Sequence, residues 1–192
     1  MWEKVGLGGM FLGTFQLKLD DKGRLSIPKR YQDILRQKYH SEPQQAGSES
    51  EPQQADPELV LSSIGPRISA YPRAEWEWLA DSLTDAITLP GLHQDARDLY
   101  HVLFGNAAEC GIDAQGRVLI PPHLRHKAKV TGEVIVVGLN RYFEIWNREA
   151  WEDYQASLQG REEEIAQKLV ELRDARVSPT PSLFAEGLRP RL

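Results

Sequence analysis

The feature that most constrains this chain is a nine-residue segment that occurs twice. Residues Asp20 to Pro28 read Asp-Asp-Lys-Gly-Arg-Leu-Ser-Ile-Pro, and Asp113 to Pro121 read Asp-Ala-Gln-Gly-Arg-Val-Leu-Ile-Pro. Asp, Gly, Arg, Ile and Pro coincide at a constant spacing of 93 residues. Farther on, Tyr71-Pro72-Arg73-Ala74-Glu75-Trp76 parallels Trp146-Asn147-Arg148-Glu149-Ala150-Trp151, now 75 residues apart. Two copies are too few for a solenoid. They imply a duplicated supersecondary unit that closes on itself as an internal pseudo-dimer.

The spacing shrinks because the first copy carries an insertion over 41–57. Within it, Ser41-Glu42-Pro43-Gln44-Gln45-Ala46 recurs as Ser50-Glu51-Pro52-Gln53-Gln54-Ala55. Such Gln, Glu, Pro and Ser residues have no apolar surface to bury, which predicts a disordered surface loop. The expected organisation is an N-terminal extension over 1–13, a first half over 14–73, connecting helices over 74–106, a second half over 107–150, and a C-terminal helix and tail over 151–192.

Around the repeat, local structure follows from period and punctuation. Phe15, Leu17 and Leu19 alternate with Gln16, Lys18 and Asp20, the pattern of a half-buried strand. Asp-Lys-Gly supplies a turn, after which Leu25 and Ile27 resume the apolar face. Cys110 and Ile112, a turn at Gly116, then Val118 and Ile120 repeat this arrangement. Pro28 and Pro121 each end a strand and suit the opening of a short helix. Further strands are expected at 59–64, 68–71, 134–137 and 142–146. Helical spacing places Trp76, Leu79 and Leu83 on one face and Leu92, Ala96, Leu99, Tyr100 and Leu103 on another, with Gly105 as a stop. A last helix is expected from about Asn147 to Leu172, with an apolar stripe interrupted at Glu162 that would either dock on its own core or contact another subunit.

The net charge is −5, which by itself disfavours a polyanionic partner. Its distribution does the opposite. Residues 14–39 hold seven Lys/Arg against three acids, and residues 110–130 hold four bases against Asp113 alone. Local potential governs phosphate attraction more than the total does. An enzyme is disfavoured, since the five histidines show no metal-ligand frame and the chain has no phosphate loop. His123 and His126 lie in a basic block and are expected to be solvated or phosphate-facing. Cys110, on an apolar strand, reads as a core thiol. No metal or cofactor is expected. No apolar run approaches the roughly 20 residues of a membrane span, so a cytoplasmic chain is expected.

Residues on the parity opposite to the core face outward: Lys18 on the first strand, Arg24 and Ser26 on the second. A two-stranded ribbon fits the major groove, and an arginine fork there can grip guanine O6 and N7. Arg24 is therefore the leading base-reading candidate and Arg117 a weaker one, because Gln115 stands where the first turn has Lys22. Lys18, Lys22 and Lys29 suit phosphates, which position a protein without specifying sequence. Asp20 and Asp113 would be repelled by DNA; they are expected to restrain the arginines, or cap turn amides, around Gly23 and Gly116.

The run Leu19-Asp20-x-Lys22-Gly23-Arg24-Leu25-x-Ile27-Pro28, preceded by Met10-Phe11-Leu12-Gly13, closely resembles the start of bacterial MraZ proteins. Glu109-Cys110-x-x-Asp113-x-x-Gly116-Arg117-x-x-Ile120-x-Pro122 resembles their second half, as does Val137-Gly138 followed by Phe143-Glu144-Ile145-Trp146. The likeness runs from about Met10 to the helix ending near Leu172; residues 1–9 precede the customary start. It implies an α+β fold of two AbrB-like swapped-hairpin halves forming a small β-barrel pseudo-dimer with flanking helices. It also implies ring-like homo-oligomers associated with the nucleoid. The partner implied is double-stranded DNA with repeated short boxes upstream of the chain's own gene, and the role is repression of a division and cell-wall gene cluster. The alternative is an AbrB-type antitoxin or an oligomeric protein-binding scaffold.

Overall fold

Each repeat lays down the same elements in the same order. The computed structural model describes residues 9–39, 58–87 and 93–177. In the first repeat, strands β1 (Phe11–Lys18) and β2 (Arg24–Ser26) lead into helix α1 (Lys29–Lys38), then the hairpin β3 (Glu58–Ile64) and β4 (Arg67–Pro72), then helix α2 (Arg73–Ile87). Helix α3 (His93–Phe104) follows. The second repeat supplies β5 (Ala108–Gly111), β6 (Arg117–Leu119), α4 (Pro122–Lys127), β7 (Glu133–Asn140), β8 (Tyr142–Asn147) and α5 (Arg148–Leu158), before α6 (Glu162–Val177). The fold is α+β. The 41–57 insertion, the first eight residues and the tail beyond Val177 lie outside the described residues.

The two halves exchange strands. Six strands form one sheet in the order β1-β7-β8-β4-β3-β5, while β2 and β6 form a second. Thus β1 pairs with the second half's β7, and β5 with the first half's β3. Two registers locate the pseudo-twofold axis independently. In the small sheet Leu25 faces Val118, its own equivalent at the 93-residue spacing. In the large sheet Ser69 faces Glu144, its equivalent at the 75-residue spacing. Single bridges, Leu19 to Leu25 and Ile112 to Val118, tie the sheets together at their edges. Among the described residues the pairing is therefore a six-stranded and a two-stranded sheet.

This corrects one expectation. Turn chemistry at Asp-Lys-Gly suggests that β2 folds back along β1 as an ordinary hairpin. Beyond the single Leu19–Leu25 bridge it does not; it pairs with β6. Cross-repeat bonds from Ile27 N–H to the Gly116 carbonyl (2.9 Å) and from Ile120 N–H to the Gly23 carbonyl (3.0 Å) extend that pairing. Burying Leu25 and Val118 together, both fully inaccessible, contributes about 1.5–3 kcal/mol per side chain. A three-residue strand lying flat on β1 would leave that surface wet.

The core lies between the sheets and under α1. Phe11, Tyr31 and Phe143 pack as an aromatic cluster with ring centroids 5.1–5.5 Å apart. Tyr31 is fully buried, and burial pushes its hydroxyl up to about 12. That hydroxyl stays protonated and donates towards the carbonyls of Leu12 and Gly13, at 3.3 and 3.2 Å. The ring reaches them because Gly138, paired with Gly13 across β1 and β7, has no side chain in the way. Cys110 is buried in the same core, as expected, and burial raises its thiol to about 11.

Glu75 of α2 ties several elements together. It accepts a hydrogen bond from the Tyr39 hydroxyl at 2.7 Å, and pairs with Lys38 and with Arg141 in the β7–β8 turn. Trp76 packs on Tyr71 and Phe104, and Leu103 of α3 is buried, although Leu99 is 41% exposed against its expected place on the apolar face.

The described residues divide into two compact units after Trp151. Past that point the expected single C-terminal helix is two. Gly160 adopts φ +77°, a left-handed conformation that ends α5, and the Arg161 N–H bonds to the Leu158 carbonyl before α6 begins. The break falls just ahead of the expected interruption at Glu162. Within α6, Leu169 and Val170 are exposed.

A methyl group at position 138 would press on the Phe11 and Leu12 backbone and on the Tyr31 hydroxyl. Gly138→Ala is expected to cost about 1–3 kcal/mol, as overpacked cores do. Gly111→Ala meets open space and is expected to be close to neutral. Urea denaturation of the two variants checks this; equal midpoints would show that the close approach is unimportant.

Candidate nucleic-acid interface

The outward face of the β2–β6 sheet is assembled from both repeats. With Leu25 and Val118 pointing into the core, Arg24, Ser26, Arg117 and Leu119 point out. The register sets Arg24 opposite Leu119 and Ser26 opposite Arg117. The two arginines are therefore diagonal neighbours, about 7–8 Å apart between backbones, as such pairs are in antiparallel sheets. Sequence parity correctly placed Arg24 outward. It did not show that Arg117 shares the face, because that depends on pairing between distant repeats.

Each arginine is held by the aspartate four residues before it. Asp20 Oδ1 accepts the backbone N–H groups of Lys22 and Arg24 (3.0 and 2.9 Å), while Oδ2 accepts Arg24 Nε at 2.6 Å. Asp113 repeats this with Gln115 and Arg117: 3.0 and 2.9 Å to the backbone, and 2.8 and 2.7 Å from Arg117 Nε and Nη2. One carboxylate thus closes the turn and fixes the guanidinium. The copies differ in what remains: among the described residues Arg24 keeps both terminal nitrogens uncommitted, whereas Arg117 keeps only Nη1.

The turns need glycine. Gly23 and Gly116 adopt φ +81° and +75°, a region costing other residues roughly 1–2 kcal/mol. Both are also covered by the opposite repeat: the Arg125 guanidinium lies against Gly23 and the Gln32 amide against Gly116. These are equivalent positions, and each reaches across from its helix while donating to the carbonyl before its own proline, Arg125 Nε to Ile120 and Gln32 Nε2 to Ile27. The first turn thus carries a cation that the second lacks. Arg125 was not singled out by the sequence reading, although the 93-residue spacing aligns it with Gln32.

The lysines are not all drawn together. Lys22 is exposed in the first turn, beside Arg24. Lys18 is exposed at the end of β1, opposite Glu133. Lys29 opens α1 and pairs with Asp33 at 3.4 Å. His123 and His126 are exposed on α4, and His123 Nε2 lies 3.2 Å from the Asn106 carbonyl. No cluster of three His, Cys, Asp or Glu residues suited to a metal occurs among the described residues.

The carboxylates are shifted downward by these contacts. For Asp20 the largest cause is the Arg24 backbone N–H, followed by partial desolvation acting the other way and then the Arg24 side chain. For Asp113 the Arg117 side chain leads. A carboxylate depressed on folding adds stability above its unfolded value and loses it as pH falls through the folded one. Both restraints are thus intact at neutral pH and released only in acid, below the ordinary aspartate value of 3.8. NMR titration of the two carboxyl carbons is expected to give midpoints below 3.8, with Arg24→Ala and Arg117→Ala each raising only its own partner. Midpoints unmoved by these substitutions would count against the restraint.

A family described as "MraZ protein, putative antitoxin-like" matches residues 10–96 and 103–172. Among relatives, the Transcriptional regulator MraZ of Carboxydothermus hydrogenoformans is 35% identical over 162 residues, 84% of this chain and 98% of its own. Those of Roseiflexus castenholzii and Desulforamulus reducens are 34% and 32% identical, covering 85% of this chain and 99% of each relative. Both copies of the Asp-x-x-Gly-Arg turn fall inside the matched residues, and the chain belongs to the MraZ family.

Proposed function

We propose that this chain is a DNA-binding transcriptional regulator that reads base edges with the face bearing Arg24 and Arg117. The observation that carries this reading is the pair of arginines on one outward face, each restrained by a carboxylate and neither consumed by it. A two-stranded ribbon enters the major groove, about 12 Å wide. A guanidinium held in place before binding loses less conformational freedom on contact than a free one. The relatives' shared name, Transcriptional regulator MraZ, supports a role in transcription. In this reading Arg24 is the stronger reader, since among the described residues both its terminal nitrogens are left to form a fork, and Lys22 and Arg125 sit at its turn to meet phosphates. Lys18 and Lys29 add positive charge at greater distance.

Repression of a division and cell-wall gene cluster, through repeated short boxes upstream of the chain's own gene, belongs to the same proposal. One ribbon makes few contacts. A ring of subunits would turn later contacts into intramolecular ones, so repeated boxes gain avidity without new chemistry.

Arg24→Ala is expected to reduce binding to the promoter-upstream duplex by about 10–100-fold, matching 1–3 kcal/mol for a bidentate guanine contact, with an unchanged sedimentation profile. Arg117→Ala is expected to lose less. Retained affinity in a gel shift with the Arg24 variant would reject the assignment. Lys22→Ala should act differently, weakening all duplexes alike and making the slope of log affinity against log salt shallower by about one. An unchanged slope would remove Lys22 from the phosphate contacts.

A further inference from the structure

The arginines occupy symmetric positions on the outward face, and the residues between them do not match. Ser26 and Leu119 are equivalent positions in the two repeats, and they are the remaining outward residues of the ribbon. Leu119 is 52% exposed, an apolar side chain set directly opposite Arg24. Directly opposed side chains have Cβ atoms about 4.5–5.5 Å apart, so whatever Arg24 grips, Leu119 touches the adjoining surface. Ser26, beside Arg117, offers a hydroxyl that both donates and accepts.

We propose that Leu119 is a specificity-determining residue that packs on the 5-methyl group of a thymine next to the guanine read by Arg24, giving the box a polarity. This rests on the DNA-reading function proposed above. In the major groove only thymine presents a methyl group, and an apolar side chain is its complement. The basic surroundings select the occupant: Leu119 lies across from Arg24, and the residue after it bonds to the turn that contains Lys22 and that Arg125 covers, a setting that attracts a polyanion. At the other end, Ser26 tolerates any base pair, because a hydroxyl pairs with donors and acceptors alike. A ribbon with the same residue at both positions would distinguish the two directions only through its unequal arginines and turns. This one adds an apolar contact at one end alone, so boxes along a promoter are bound in a single orientation.

The test begins with duplexes enriched by the wild-type protein from a randomised pool. The base pair at which Arg24→Ala relaxes selection marks the guanine, and the proposal requires a thymine beside it. Replacing that thymine with deoxyuridine removes only the methyl group. Wild-type affinity is expected to fall about fourfold, the effect of one buried methyl, while Leu119→Ser is expected to bind both duplexes equally. The converse variant, Ser26→Leu, should become sensitive to deoxyuridine beside the guanine assigned to Arg117. No thymine at the flank, or a deoxyuridine effect that persists in Leu119→Ser, overturns the proposal. So does a Leu119→Ser variant with an altered number of subunits per particle and unaltered selection, which would place another copy of the chain on this leucine. Failure of the wild type to enrich any sequence, or of Arg24→Ala to relax it, would instead reject the DNA-reading function itself.

Discussion

The pairing of β2 with β6 is the interaction on which the rest depends. Each strand has only three residues, and neither continues along the strand that precedes it. What holds them is the contact between Leu25 and Val118 at the axis, reinforced at both ends by bonds to the other repeat's turn glycine. Because those bonds end at Gly23 and Gly116, the shape of each turn is fixed partly by the opposite half. Neither repeat could build its arginine platform alone. The duplication is therefore a structural requirement of the arginine face and not a doubling of a finished module.

The Asp-Arg restraints extend this logic outward. An exposed ion pair adds little to stability, too little to explain two such pairs at equivalent positions. The carboxylates do something that stability does not measure: they bind two turn amides and leave the guanidinium pointing one way. Among the described residues, the single side-chain bond of Arg24 against the two of Arg117, and the exchange of Gln32 for Arg125 at equivalent positions, make the first turn the more basic and the less committed of the two.

Much of this was legible in the sequence because it is local. Alternation of Phe15, Leu17 and Leu19 set the first strand, the turn glycines marked its end, and parity put Arg24 and Ser26 outside. What was not legible depended on distant residues. Nothing near β2 says that its partner lies 93 residues away, since Asp-Lys-Gly is equally good chemistry for a hairpin. The break at Gly160 showed in the sequence only as the interruption of the apolar stripe at Glu162. Leu119 was readable in principle: parity from Arg117 puts it outside, and the alignment with Ser26 shows the mismatch. It passes as one more apolar residue until the register sets it against Arg24.

Both strands of the ribbon belong to one chain, and this separates it from any ribbon assembled from two identical subunits. A two-chain ribbon forms only as fast as its halves meet, and it melts on dilution, because its stability is inseparable from protomer concentration. Here the second half is always within reach of the first. The arginine pair is therefore complete in a single newly made molecule, at whatever copy number the cell maintains. Abundance then decides how many copies of the arginine face are present, and not whether the face exists at all.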